Sequence, residues 1–429
     1  MTRRTTALAA ALSLLPLGQP LLLGSTTALV TAAVVLSTQA AHAQSSYDYL
    51  NRGVTKYRLR DYQGAIADYS KAIEIDPQFA LAYTNRGSAK YALGDQQGAI
   101  IDHTKAIEID PQYADAYYNR GVIKDDLGDY QGAIADYNKA IDINPQYAAA
   151  YNNRGFAKNK SGDYQGAITD CTKAIEINPQ LAPAYYNRGN AKSRLKDYQG
   201  AIADYNKAIE INPLYAATYN NRGFAKSNLK DYQGAIADYT KAIEINPQYA
   251  LAYFNRGNAK FDLKDYQATI RDYSKAIEID PQYADAYYNR GNAKGDLKDN
   301  EGAIADYSKA IDINPQYALA YTNRGNAKRN LKDYQGAIAD YNKAIDINPQ
   351  LALAYYNRGI AKRNLKDYQG AIADYRKAIE INPESAFAYR SRGIAKELVG
   401  DLKGACEDWG KASSLGVQDA AGWVRDQCQ

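Results

Sequence analysis

The chain has 429 residues, with 52 Lys and Arg against 48 Asp and Glu, and 40 Tyr beside only six Phe and two Trp. Charges that nearly cancel offer no basic face for a nucleic acid or another polyanion. Three cysteines, Cys171, Cys406 and Cys428, are too few for a disulfide framework and lack metal-ligand spacing.

The first element in chain order is a leader. Arg3 and Arg4 precede a long acid-free run of Ala, Leu, Val, Ser and Thr, and Ala41-His42-Ala43 has the form of a cleavage site before Gln44. Residues 1–43 are therefore expected to be a signal peptide, directing the chain to the periplasm or outside the cell. The alternative is an uncleaved membrane anchor, because Leu21 to Ala41 is long enough to span a bilayer. No later segment is apolar enough to span. After a short lead-in at 44–45, a repeat array is expected over 46–417 and a closing helix over 418–429.

The array is read from its period. Asn-Arg-Gly begins at Asn51 and recurs every 34 residues to Asn357, Ser391-Arg392-Gly393 makes an eleventh copy, and prolines keep the same step from Pro77 to Pro383. In the unit Ala216–Tyr249, Tyr219, Gly223 and Ala225 have helical spacing, and Lys230-Asp231 interrupts the pattern. Asp231 is suited to cap a second helix from Tyr232 to Ile245, with Ala235, Tyr239 and Ala242 on one stripe. Asn246-Pro247 ends that helix, since proline lacks an N–H and disfavours a helical residue before it. Each unit is thus an antiparallel helical hairpin.

With its period of 34, the order Tyr219, Gly223, Ala235, Tyr239, Ala242, Pro247 resembles the tetratricopeptide repeat at every term. The resemblance implies an all-α fold, a right-handed α-solenoid of stacked hairpins. Small residues let the backbones approach and aromatics fill the space between hairpins, which assigns most tyrosines to the core. A single hairpin has no partner for its apolar face, whereas a stack does.

Two charges repeat with the unit. Arg222 and its equivalents are followed sixteen residues later by Asp238 and its equivalents. This reads as an ion pair tying the helices of each hairpin rather than as a basic ladder, because a buried Arg is costly alone. Lys226 and its equivalents, one turn after the Arg, are expected to be solvated. His103 and Cys171 stand in the Tyr239 slot of their units and read as core residues. No nucleotide loop, zinc-protease helix or serine elbow is present, so neither catalytic residues, cofactor nor metal is expected. In the last unit Trp409 replaces Tyr, and Gly416-Val417 replaces Asn-Pro. The closing helix presents Ala420, Ala421, Trp423 and Val424 as an apolar stripe to cover the array's end. In an oxidising compartment Cys406 and Cys428 are candidates to pair and pin it.

The resemblance also implies that the first helices line a concave groove. Its sixth position is Asn51, Asn85, Asn119, Asn153, Asn187, Asn221, Asn255, Asn289, Asn323 and Asn357, joined at the ninth by Asn190, Asn258, Asn292 and Asn326. Such a ladder is similar to the arrays that clamp an extended peptide backbone, each amide offering donors and an acceptor. The alternative is that these amides bond locally within the fold. No unit has Lys at its second or fifth position, so the family's clamp for a chain-terminal carboxylate is incomplete. Variable groove positions mix Asp115, Asp125 and Asp126 with Arg329, Arg363, Phe156 and Phe224. The expected function is a non-enzymatic scaffold binding a protein or extended peptide. An envelope component handling polysaccharide and a self-associating scaffold are the rival readings.

Overall fold

The computed structural model describes residues 45–428, so the leader lies outside the described residues. The chain divides between Ala150 and Tyr151 into two compact units. The first holds α1 (45–58), α2 (Tyr62–Ile75), α3 (Ala80–Ala92), α4 (Gln96–Ile109), α5 (Ala114–Asp126) and α6 (Tyr130–Ile143). Helix α7 (Ala148–Ser161) includes the division. The second unit continues with α8 (Tyr164–Ile177), α9 (Ala182–Arg194), α10 (Tyr198–Ile211), α11 (Ala216–Asn228), α12 (Tyr232–Ile245) and α13 (Ala250–Asp262). Then follow α14 (Tyr266–Ile279), α15 (Ala284–Asp296), α16 (Asn300–Ile313), α17 (Ala318–Asn330) and α18 (Tyr334–Ile347). The last are α19 (Ala352–Asn364), α20 (Tyr368–Ile381), α21 (Ala386–Glu397), α22 (Leu402–Ser414) and α23 (Gln418–Gln427). Every regular element among the described residues is a helix.

Local chemistry sets each boundary. Helix α11 ends where Lys230 takes a left-handed φ of 64°, its N–H donating to Ser227 O and that of Asp231 to Lys226 O. This pair of bonds satisfies carbonyls that the helix leaves open. Asp231 then starts α12, its carboxylate accepting the Gly234 N–H at 2.9 Å. At the far end the Asn246 side chain accepts the Gln248 N–H across Pro247, and the chain turns into the next hairpin. The same left-handed corner is Arg60, Lys196, Lys264, Lys298, Lys332 or Lys366 in other hairpins, and Gly94, Gly128, Gly162 or Gly400 in the rest.

Packing follows from residue size. Ala225, Ala235 and Ala242 have no exposed surface, and the Tyr239 ring fills the space beside them. A Cβ on Gly223 would lie 2.8 Å from Tyr239 Cε1, so glycine is required for the ring to lie against the helix. Within the second unit, first helices also touch the next first helix, as in α9 with α11, α11 with α13 and α15 with α17.

The Arg–Asp pairs are present throughout, from Arg52 with Asp68 to Arg392 with Asp408. Arg222 donates to Asp238 through Nε at 2.9 Å and Nη2 at 2.5 Å. Its Nη1 reaches back 2.7 Å to Asn206 on the preceding hairpin, and its guanidinium lies over the Tyr219 ring. The arginine therefore joins two hairpins as well as two helices. The lysines are a correction to the sequence reading. Lys226 Nζ lies 2.8 Å from Asp238 Oδ2 and its side chain is only 22 % exposed. Its equivalents from Lys56 to Lys396 do the same. A buried carboxylate with two oxygens holds both cations, and the lysine stem packs along the helix while its head bonds.

At the end of the chain, α23 packs on α22. Trp423 meets buried Trp409 at 5.3 Å, Arg390 lies over the Trp423 ring, and Arg390 pairs with Asp419. Cys406 and Cys428 form a disulfide. Ala421, placed on the apolar stripe by sequence, is exposed while Ala420 is buried. Adjacent helical residues point about 100° apart, so both do not face the same surface.

Candidate functional site

The asparagines at the sixth and ninth positions are first of all bonded to one another. In the second unit Asn221 Nδ2 donates to Asn190 Oδ1 at 2.9 Å, Asn289 to Asn258 at 3.2 Å and Asn323 to Asn292 at 3.0 Å. Asn187 and Asn255 donate instead to Asn152 and Asn220, each 3.0 Å away on the preceding first helix. A second-helix tyrosine also donates to each ninth-position carbonyl: Tyr205 to Asn190, Tyr273 to Asn258, Tyr307 to Asn292 and Tyr341 to Asn326. Burial raises these phenols above their ordinary pKa, so they stay protonated and act as donors. A polar seam therefore links hairpin to hairpin along the first helices. Asn326 also donates weakly to Asn323, Asn357 accepts from Arg329, and Asn153 accepts from Asn152. Asn51 is exposed, and Asn85 and Asn119 are half-buried.

The seam does not exhaust its amides. A primary amide has two donor hydrogens and a carbonyl with two lone pairs. Asn258 uses its oxygen twice and leaves Nδ2 without a hydrogen bond among the described residues, whereas the Asn292 amide also bonds the Tyr288 hydroxyl. Asn255 and Asn289 use Nδ2 and leave Oδ1 open. An unused donor on α13, Asn258 Nδ2, thus stands beside an unused acceptor on α15, Asn289 Oδ1, about the complement of a peptide group.

Two concavities lie on this seam. One of about 240 Å³ is lined by Phe224, Ser227, Asn228, Tyr239, Asn255, Asn258 and Asp262. The other, about 250 Å³, is lined by Asn258, Phe261, Asp262, Tyr273, Asn289 and Asn292. Sequence reasoning singled out the asparagines and Phe224 but missed Asp262 and Phe261, whose position in the unit is otherwise variable. Asp115 and Asp126, read as groove acids, accept hydrogen bonds from Tyr147 and Tyr91 and so serve the packing of the first unit.

The remaining reactive side chains are enclosed. His103 and Cys171 have no exposed surface. Burial lowers the His103 pKa to about 4 and raises that of the Cys171 thiol to about 12. Among the described residues no group of three His, Cys, Asp or Glu is placed to hold a metal ion. No helix there is long and apolar enough to cross a membrane.

No curated protein matches the chain. Among solved structures, yeast Tom70 is 17% identical, over 90% of this chain and 96% of that one, with a TM-score of 0.41. MamA is 29% identical over 38% of this chain and 96% of its own, with a TM-score of 0.36. YrrB, described as a TPR protein with an unusual peptide-binding site, is 23% identical over 43% and 95%, with a TM-score of 0.38. The tetratricopeptide-repeat profile matches 114–147, 148–181, 182–215, 216–249, 284–317, 318–351 and 352–385. A related TPR profile matches 53–94, 87–124 and 257–298. With more than half of its length matched unit by unit, the chain belongs to the tetratricopeptide-repeat family.

Proposed function

We propose that this protein is an exported, non-enzymatic adaptor that holds an extended segment of a partner protein along its first helices. The observation that carries the reading is the unspent hydrogen-bonding capacity of the asparagine seam. Asn258 offers a free amide donor beside the free acceptor of Asn289 one hairpin later. A backbone amide and carbonyl of a bound strand would satisfy both without any side chain being read. Export is supported by the composition of residues 1–43, and the Cys406–Cys428 disulfide is consistent with an oxidising compartment.

The test is binding of the purified protein to an array of labelled decapeptides of varied sequence. The double variant Asn258→Ala, Asn292→Ala should lose binding across the array, while its thermal midpoint reports the separate contribution of the seam to stability. Undiminished binding by a folded double variant would sink the reading.

A further inference from the structure

Asp262, the last residue of α13, is exposed and its carboxylate makes no ion pair or hydrogen bond with the described residues. Its equivalent Asp126 is by contrast held by the Tyr91 hydroxyl. Asp262 lines both concavities of the seam. Each is smaller than the roughly 300–1,000 Å³ of small-molecule sites, a size suited to one side chain rather than a free metabolite.

The concavity between α11 and α13 has a second uncommitted group. At the ninth position this hairpin carries Phe224 where α9, α13, α15 and α17 carry Asn. Tyr205, Tyr273 and Tyr307 each donate to that Asn. Tyr239 has none to donate to. Its side chain is 1 % exposed, its hydroxyl forms no hydrogen bond with the described residues, and it lines the concavity. Phe224 itself is 47 % exposed. The same substitution thus frees a hydroxyl and supplies an aromatic face beside a carboxylate that lacks a counter-ion.

The lining chooses among occupants. An anion is repelled by Asp262. A purely apolar group would strip water from the carboxylate and the hydroxyl and return no bond. A cation on an apolar stem answers every group: its charge meets Asp262, its hydrogens reach the Tyr239 oxygen, and its stem and charge lie against the Phe224 ring. We infer that the α11–α13 concavity receives a lysine or arginine side chain of the bound segment. The inference rests on the peptide-binding reading above, and adds to it a preference for a basic residue at one register.

Fluorescence anisotropy with three labelled decapeptides, identical except for Lys, Gln or Glu at the centre, separates the two. The protein as exported should prefer the Lys peptide over the Gln peptide by about tenfold, as a carboxylate and an aromatic face together allow, and bind the Glu peptide most weakly. Asp262→Asn, a surface change, should reduce the Lys-to-Gln preference to about one, and so should raising the salt in part. Phe224→Asn installs the residue that neighbouring hairpins carry, returns a partner to Tyr239, and should abolish the preference in a protein that still folds. Equal binding of the Lys and Gln peptides overturns the basic-residue pocket and leaves the peptide reading standing. Failure of all three peptides to bind overturns both. A preference that survives in Asp262→Asn overturns the assignment of the counter-charge.

Discussion

His103 should make one hairpin sensitive to acid. Its imidazole sits in the slot that Tyr69 and Tyr137 fill in neighbouring hairpins, it has no exposed surface, and neither ring nitrogen has a hydrogen-bond partner among the described residues. Burial lowers its pKa from 6.5 to about 4, opposed by Asp102 and Asp136 and assisted by Arg120. Because the folded-state value is the lower one, the unfolded chain takes up the proton first as pH falls. The stability from keeping the ring neutral is therefore complete above pH 6.5, is lost progressively between 6.5 and about 4, and changes little below that. A drop of this size corresponds to about 3 kcal/mol. The comparison is with His103→Tyr, which Gly87 should accommodate as Gly53 and Gly121 accommodate Tyr69 and Tyr137. Hydrogen exchange of the α4 amides is the suitable readout, since a repeat array opens locally before it opens globally. Between pH 7 and pH 4 the native chain should lose about 3 kcal/mol more protection in α4 than the variant does. Equal losses in the two proteins would refute the argument that a buried neutral imidazole is responsible.

Asp238→Asn leaves Arg222 and Lys226 facing each other with side chains 18 % and 22 % exposed, and should destabilise by about 2–4 kcal/mol in urea unfolding. A loss below about 0.5 kcal/mol would place the triad with ordinary surface pairs. Lys230→Gly relieves a left-handed residue at φ 64° and should raise the unfolding midpoint by the equivalent of about 0.5–1 kcal/mol. A lower midpoint would show that the lysine is held there by contacts of its own. Denatured, unreduced protein should present one free thiol, from Cys171, and three would dispose of the Cys406–Cys428 bond. Reducing that bond should cost the end of the array about 3 kcal/mol, given its separation of 22 residues, and redden Trp423 emission as α23 loosens.

Much of the fold was legible in the residues. Asp231 caps through an N–H three residues away, and Asn246-Pro247 stops the helix through bonds within two residues. Such interactions depend on sequence neighbours, so the pattern that encodes them is visible in the sequence. The Arg–Asp pair was legible for a different reason: both members recur without exception at a separation of sixteen. The lysines were misjudged because a charge one helical turn from an arginine looks like a solvated residue. Only the packed hairpin brings its ammonium to the second oxygen of Asp238.

The candidate site was legible only in outline. The asparagine ladder is visible in the sequence, but its bonds run between residues 31 or 35 apart, across the joint between hairpins. The same Asn at the same position meets different partners depending on what the preceding hairpin places opposite it. Asn289 meets the amide of Asn258, whereas Asn255 meets Asn220 because Phe224 stands where that amide would be. The sequence by itself determined the hairpin, its caps, its corner and its small-residue packing, since each is repeated and local. The tertiary structure alone decided which amides are spent, which acid has no counter-ion and which tyrosine hydroxyl is left over. Those are properties of neighbouring surfaces, and no period in the sequence carries them.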